Sequence, residues 1–259
     1  NEVLVYIKDK VFYTVKENIK LENKNALKYQ NGDILLVENK SLELIKNLGN
    51  IENPKMDELI SLHLYNEIYR LEKHLEVNAL MDDTKQRVDL RDLYFCTIDP
   101  NSAKDHDDAI YFDTKENILY VAIADVSYFV KEGSELDLLA FKKSTSVYLP
   151  TKVLPMLPPI LSEEMCSLKE GVDRYSYVFK LHLDLENLSV KKAELFEAII
   201  NSHKNFSYGR IDRVIEGHLD QYSKTEKIIF DYLIPLYEIT KKFRKRRLLK
   251  GYDFRTTEN

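Results

Sequence analysis

Asp99, Asp105, Asp107 and Asp108 place four carboxylates within ten residues, inside the stretch TIDPNSAKDHDDAIYFD from Thr97 to Asp113. Two unit charges about 4 Å apart near a protein surface repel by about 4 kcal/mol. Four together cost several times that, a large share of the ~5–15 kcal/mol by which a fold is usually stable. Solvent, proton uptake or a cation has to offset the cost. Two readings are open: a hydrated loop with its side chains splayed into water, or a site for a hard cation. Mg²⁺ suits the second, because it takes oxygen ligands in octahedral geometry, usually a few carboxylates with water and substrate phosphate. Two such ions about 3.5–4 Å apart activate a water and stabilise a leaving oxygen at a phosphodiester. An EF-hand does not fit, since no glycine stands at the sharp-turn position and no glutamate closes the loop.

The elements around the cluster favour the metal reading. LYFCTI (93–98), AIYFD (109–113) and ILYVAIADV (118–126) are β-branched and aromatic runs that read as buried strands. Asp99 follows the first and Asp107-Asp108 precede the second, so both ends of the acidic loop are pinned to the core. The carboxylates are thereby drawn toward one strand end. SELDLLAFKKS (134–144) opens on serine with an acidic first turn and predicts a helix. PMLPPI (155–160) must be extended, and LSEEMCSLKEG (161–171) predicts a short helix stopped by glycine. YSYVFKLHLDLE (175–186) alternates as a half-exposed strand, VKKAELFEAIINS (190–202) reads as another, and residues 225–247 as a last helix interrupted or kinked at Pro235.

Upstream, residues 2–15 read as one or two strands, and Asn31-Gly32-Asp33 turns the chain into the strand ILLVE, suggesting the end of a small β-barrel. From Pro54 the spacing changes to that of an amphipathic helix over 54–76, in one piece or two, with Asp57 and Glu58 at its positive end. A polar linker follows to about Arg87.

Composition bounds the rest. A chain of 259 residues with 44% hydrophobic and 31% charged content is a globular protein. No apolar run approaches the roughly 20 residues of a membrane helix, so no membrane association is expected. Cys96 and Cys166 form no CxxC pair, which argues against a disulfide framework or zinc site and makes a cytoplasmic location the expectation. The net charge of −5 does not advertise nucleic-acid binding, yet KKFRKRR (Lys241 to Arg247) gathers six cations in seven residues. That run either tracks phosphates or is a solvated helix end. The start without methionine and the polar stub RTTEN suggest a piece of something longer.

The segment VDLRDLYFCTIDPNSAKDHDDAIYFD resembles the catalytic signature of the ribonuclease II (RNB) superfamily, in its ribonuclease R-like form. LYVAIADVSYFV, TSVYLPTKVLPMLPPILSEEMCSL and VDR at 172–174 resemble further family blocks in the same order. The resemblance implies an α+β fold: a cold-shock/OB-like barrel remnant at 1–50, a helical linker at 51–87, and the N-terminal part of a mixed α/β nuclease domain at 88–259. It implies a processive, Mg²⁺-dependent, hydrolytic 3′→5′ exoribonuclease that degrades single-stranded RNA to nucleoside 5′-monophosphates. Asp99, Asp105, Asp107 and Asp108 match its four catalytic, metal-holding aspartates. Tyr148 matches the aromatic that stacks on the 3′-terminal base, and Phe254 the aromatic that clamps from the other side. Without the resemblance, core packing would be the reading of Tyr148 in a chain with 17 tyrosines. Asp125 falls in a family block and reads as a support behind the site or as structural. His106 departs from the family's usual phenylalanine, as a packing replacement or a tuner of protonation, with a surface-lying ring the simpler expectation. The family's downstream arginine motif and C-terminal barrel do not appear, so the rival reading is a non-catalytic RNA-binding module or an inactive fragment.

Overall fold

The computed structural model describes residues 2–65, 86–218, 221–249 and 251. The chain forms two units, residues 1–75 with 138–156, and residues 76–137 with 157–259.

In the first unit, β1 (Glu2–Lys8), β2 (Val11–Thr14), β3 (Lys20–Leu21), β4 (Asp33–Glu38) and β5 (Leu44–Asn50) make an antiparallel, OB-like sheet in the order β3-β2-β1-β4-β5. The period-2 geometry of a strand sorts its side chains onto two faces. Val5, Ile7, Leu35 and Val37 enter one cluster with Phe12, while Leu4, Ile34 and Leu36 enter another with Met56 of α1 (Met56–Tyr65). The unbroken ILLV run is therefore a strand covered on both sides. Gly32 (φ +85°) makes the turn into β4. Of the helix expected over 54–76, α1 is the described part. Pro54 lies in the turn before it, Asp57 and Glu58 in its first turn, and positions 66–76 lie outside the described residues.

In the second unit the chain runs through β6 (Val88–Asp89), β7 (Phe95–Asp99), β8 (Asp108–Asp113), β9 (Ile118–Ala124) and α2 (Val126–Phe129). α3 (Glu135–Lys143) carries it into the first unit, where β10 (Val147–Tyr148) and β11 (Val153–Leu154) form a small hairpin. A π-helix (Ile160–Met165), β12 (Asp173–Asp184), β13 (Ser189–Ser207), α4 (Tyr208–Ile215) and α5 (Lys224–Leu248) complete the second unit.

Its sheet has the order β12-β9-β8-β7-β13-β6. β13 is 19 residues long and pairs with three strands, β12, β7 and β6. Its first part pairs antiparallel with β12, and its last part runs parallel to β7, from Ser202 beside Phe95 to Ser207 beside Asp99. A bulge between Ser202 and Lys204 marks the change. Because β12 also pairs with β9, the strands close a circuit β12-β9-β8-β7-β13.

α4 and α5 supply Ile211, Val214, Ile229, Phe230, Leu233 and Leu236 to the core formed with Cys96, Phe112 and Phe206. The last helix is not interrupted: Pro235 sits inside a continuous 25-residue α5. A capping box of Ser223 and Glu226 starts it, and buried residues lie on both sides of the proline, Leu233 before it and Leu236 after it. The short helix also differs from expectation. It ends at Cys166, well before Gly171, whose positive φ (+74°) instead turns the chain toward β12.

Candidate active site

Two strand ends and the loop between them build the site. Cys96 pairs with Ile110 across antiparallel β7 and β8. Carrying that register outward brings Asp99, the last residue of β7, level with Asp107 and Asp108 at the start of β8. The neighbouring strand fixes their backbone: Asp108 pairs with Ile123, and the Ala124 N–H donates to the Asp107 carbonyl at 2.9 Å. Asp105 is exposed in the loop itself.

The carboxylates feel one another. Partial burial pushes the Asp107 carboxyl up from its ordinary range, and the charges of Asp105, Asp108 and Asp99 push it the same way, while His106 pulls it down. Partial burial and then Asp99 raise Asp108. The four aspartates expected at the site are thus gathered in one electrostatic neighbourhood. Their donor chemistry suits a hard cation, which would relieve that repulsion. Among the described residues, no three His, Cys, Asp or Glu side chains converge on one point at ligand distance.

The loop is braced from a distant segment. Ser167, wholly buried, donates its hydroxyl to the Lys104 carbonyl at 2.8 Å and accepts the His106 N–H at 3.1 Å. Leu168 N–H donates to the His106 carbonyl at 2.8 Å. Arg174 in turn holds that segment, donating to the carbonyls of Ser167 (2.9 Å) and Glu164 (2.8 Å). These contacts give the MCSL and VDR blocks a physical role that their sequence did not disclose. Ser167→Ala removes two hydrogen bonds to part-buried partners and should cost about 1–3 kcal/mol in a urea melt, at about 0.5–1.5 kcal/mol for each bond.

His106 is not a surface ring. It is 16% exposed, and its Nδ1–H donates to Asp99 Oδ2 at 2.7 Å. Asp125 is structural, as expected. It is buried, pairs with Arg87 at 2.7 Å, and caps α2 by accepting the Tyr128 N–H at 3.0 Å.

Tyr148 lies in the first unit on the β10–β11 hairpin, 73% exposed, so core packing does not account for it. Phe254 lies outside the described residues. KKFRKRR forms the last turns of α5, and Arg246 is committed to structure, donating to the carbonyls of Asn187 and Leu188 at the β12–β13 turn. Cys96 and Cys166 are free and buried, each thiol pushed up to about 12 chiefly by burial.

The family model described as the RNB domain matches residues 87–259. The chain belongs to the RNB family. A second model, the ribonuclease R second OB domain, matches residues 4–62. Ribonuclease R of Helicobacter pylori (strain J99) is 37% identical over 220 residues, covering 82% of this RNB chain and 33% of that protein. Ribonuclease R of Thermotoga maritima is 35% identical, covering 79% of this chain and 30% of that protein. The chain thus spans about a third of the length of these curated relatives. Among solved structures, Mycoplasma genitalium RNase R in complex with double-stranded RNA superposes with a TM-score of 0.78 at 25% identity, covering 96% of this chain and 48% of that one. Yeast Ssd1, described as a pseudonuclease, shares the fold with a TM-score of 0.69 at 20% identity, over 95% of this chain and 34% of that one. The fold is therefore shared with a protein described as a pseudonuclease, and fold alone does not fix function.

Proposed function

We propose that this RNB chain carries the metal-binding part of a processive, hydrolytic 3′→5′ exoribonuclease that degrades single-stranded RNA to nucleoside 5′-monophosphates in the cytoplasm. The carrying observation is the gathering of Asp99, Asp105, Asp107 and Asp108 around one strand end, where partial burial and then neighbouring carboxylate charge raise the proton affinity of Asp107 and Asp108. A hydrated loop would let such side chains splay apart, whereas β7, β8, β9 and the Ser167 brace hold the backbone that carries them. Family membership and the ribonuclease R relatives support the same reading.

Asp99 and Asp108 are assigned as direct Mg²⁺ ligands, with Asp105 and Asp107 completing the site and Asp107 essential to the chemistry. Mg²⁺ held there would neutralise the scissile phosphate and lower the pKa of the attacking water. The aspartates orient that water and hold its departing proton through their oxygens. Tyr148, and Phe254 from the C-terminal side, stack on the bases at the 3′ end and ignore base identity, as digestion of any sequence requires. Residues 1–50 serve as the end of an OB-like RNA-binding barrel, 51–87 as its linker and 88–259 as the nuclease part.

The deciding assay is digestion of 5′-labelled single-stranded RNA with Mg²⁺ or with EDTA. A Mg²⁺-dependent ladder shortening from the 3′ end supports the proposal and shows that these 259 residues suffice. RNA binding without cleavage, in this chain and in the full-length protein alike, would sink it in favour of a binding module. Tyr148→Ala should weaken single-stranded RNA binding by about 1–3 kcal/mol in a fluorescence titration. The same change should shift the melting free energy by less than about 0.5 kcal/mol, as expected at an exposed position.

A further inference from the structure

We infer that His106 is a positioning residue for Asp99: its Nδ1–H fixes one carboxylate oxygen and leaves the other to act as ligand. The inference rests on the reading of Asp99 as a metal-site residue. The contact is 2.7 Å, within the range of a charge-assisted hydrogen bond, and the two side chains are only 16% and 17% exposed. A carboxylate can only accept, so the facing Nδ1 carries the proton. Thr97 Oγ1 lies 3.4 Å from the same nitrogen, too far to compete.

The ring is delivered by a main chain that cannot readily swing. The His106 N–H is held by Ser167 and its carbonyl by Leu168, so the imidazole is presented to Asp99 from a braced loop. Phenylalanine, which the family signature usually places here, has no donor to offer. Hydrogen-bonding partners fix the orientation of a ligand, and their loss typically costs about 10–100-fold in metal affinity.

The experiment titrates the 259-residue chain with Mn²⁺, a paramagnetic stand-in for Mg²⁺, and follows free and bound ion by electron paramagnetic resonance. His106→Phe should weaken Mn²⁺ binding about tenfold. His106→Asn keeps an N–H donor at the δ position and should stay within about threefold of the parent. Histidine-ring ¹⁵N spectra of the unsubstituted protein supply a readout that needs no variant, with Nδ1 of His106 protonated. His106→Phe binding as tightly as the parent, or a bare Nδ1, overturns the inference. Asp99→Asn separates this from failure of the underlying reading. If that variant binds Mn²⁺ like the parent, Asp99 is no ligand and the metal-site reading falls first.

Discussion

Asp125→Ala should cost about 3–5 kcal/mol of stability, the scale of breaking a buried ion pair by removing one of its members. Arg87 and Asp125 meet at 2.7 Å with side chains only 2% and 1% exposed. The Arg87 guanidinium also lies 4.2 Å from the centre of the Tyr175 ring and 3.6 Å from Glu197. Removing the carboxylate removes that 2.7 Å contact. Glu197 is more distant and 43% exposed, so solvent screens it. The same carboxylate accepts from the Tyr128 amide and the Ser127 hydroxyl (2.7 Å), so α2 loses its cap as well. Asp125→Asn should cost less, because an amide oxygen can still cap α2 while the charge is lost. Both are measured by denaturant unfolding with metal absent. A loss under about 1 kcal/mol for Asp125→Ala would show that the pair has little weight, as many exposed ion pairs do.

The contrast between Asp125 and the acidic loop explains what the sequence discloses and what it hides. β7, β8 and β9 are legible because apolar runs bounded by polar residues are a local signal, and they alone bring Asp99 and Asp107-Asp108 to one place. β5 escapes detection because LIKNLGN has no buried residue and is held by pairing with β4. α4 also goes unread, although Ser207 as its cap and Ile211, Val214 and Ile215 at helical spacing were available as signals. β13 reads as a strand, but its change from antiparallel to parallel partners depends on segments about 110 residues away in the chain. Sequence separation also hides Ser167, whose hydrogen bonds reach 61 and 63 residues back to His106 and Lys104 in the acidic loop and have no local signature. His106 is legible as a departure from the family pattern, while its partner is visible only once β7 and the loop are folded together.

Asp107→Asn should lower hydrolysis by the full-length enzyme by at least about 10²–10³-fold, the scale of losing one electrostatic group that acts on the transition state. RNA affinity should stay nearly unchanged, since stacking and phosphate contacts carry binding. In the metal-free chain the same substitution should act in the opposite direction on stability. Partial burial and the neighbouring aspartates raise the Asp107 carboxyl, so its folded form takes up a proton more readily than the unfolded one. The stabilising contribution is complete below the unfolded pKa and is lost as pH rises through the higher folded value. At pH 7 the charged cluster therefore works against the fold, and asparagine removes one of its charges. Because the side chain is open to solvent, screening keeps the effect small, a rise in Tm on the order of 1–2 °C. The difference should vanish below about pH 3, where carboxyls are protonated in both proteins. Saturating Mg²⁺ should reverse the order at pH 7, because a bound cation stabilises the intact cluster more than the substituted one. Calorimetry at both pH values, with and without metal, reads all four arms. Equal loss of RNA binding and hydrolysis, or a lower Tm in the metal-free variant, would instead make Asp107 a residue that organises the fold.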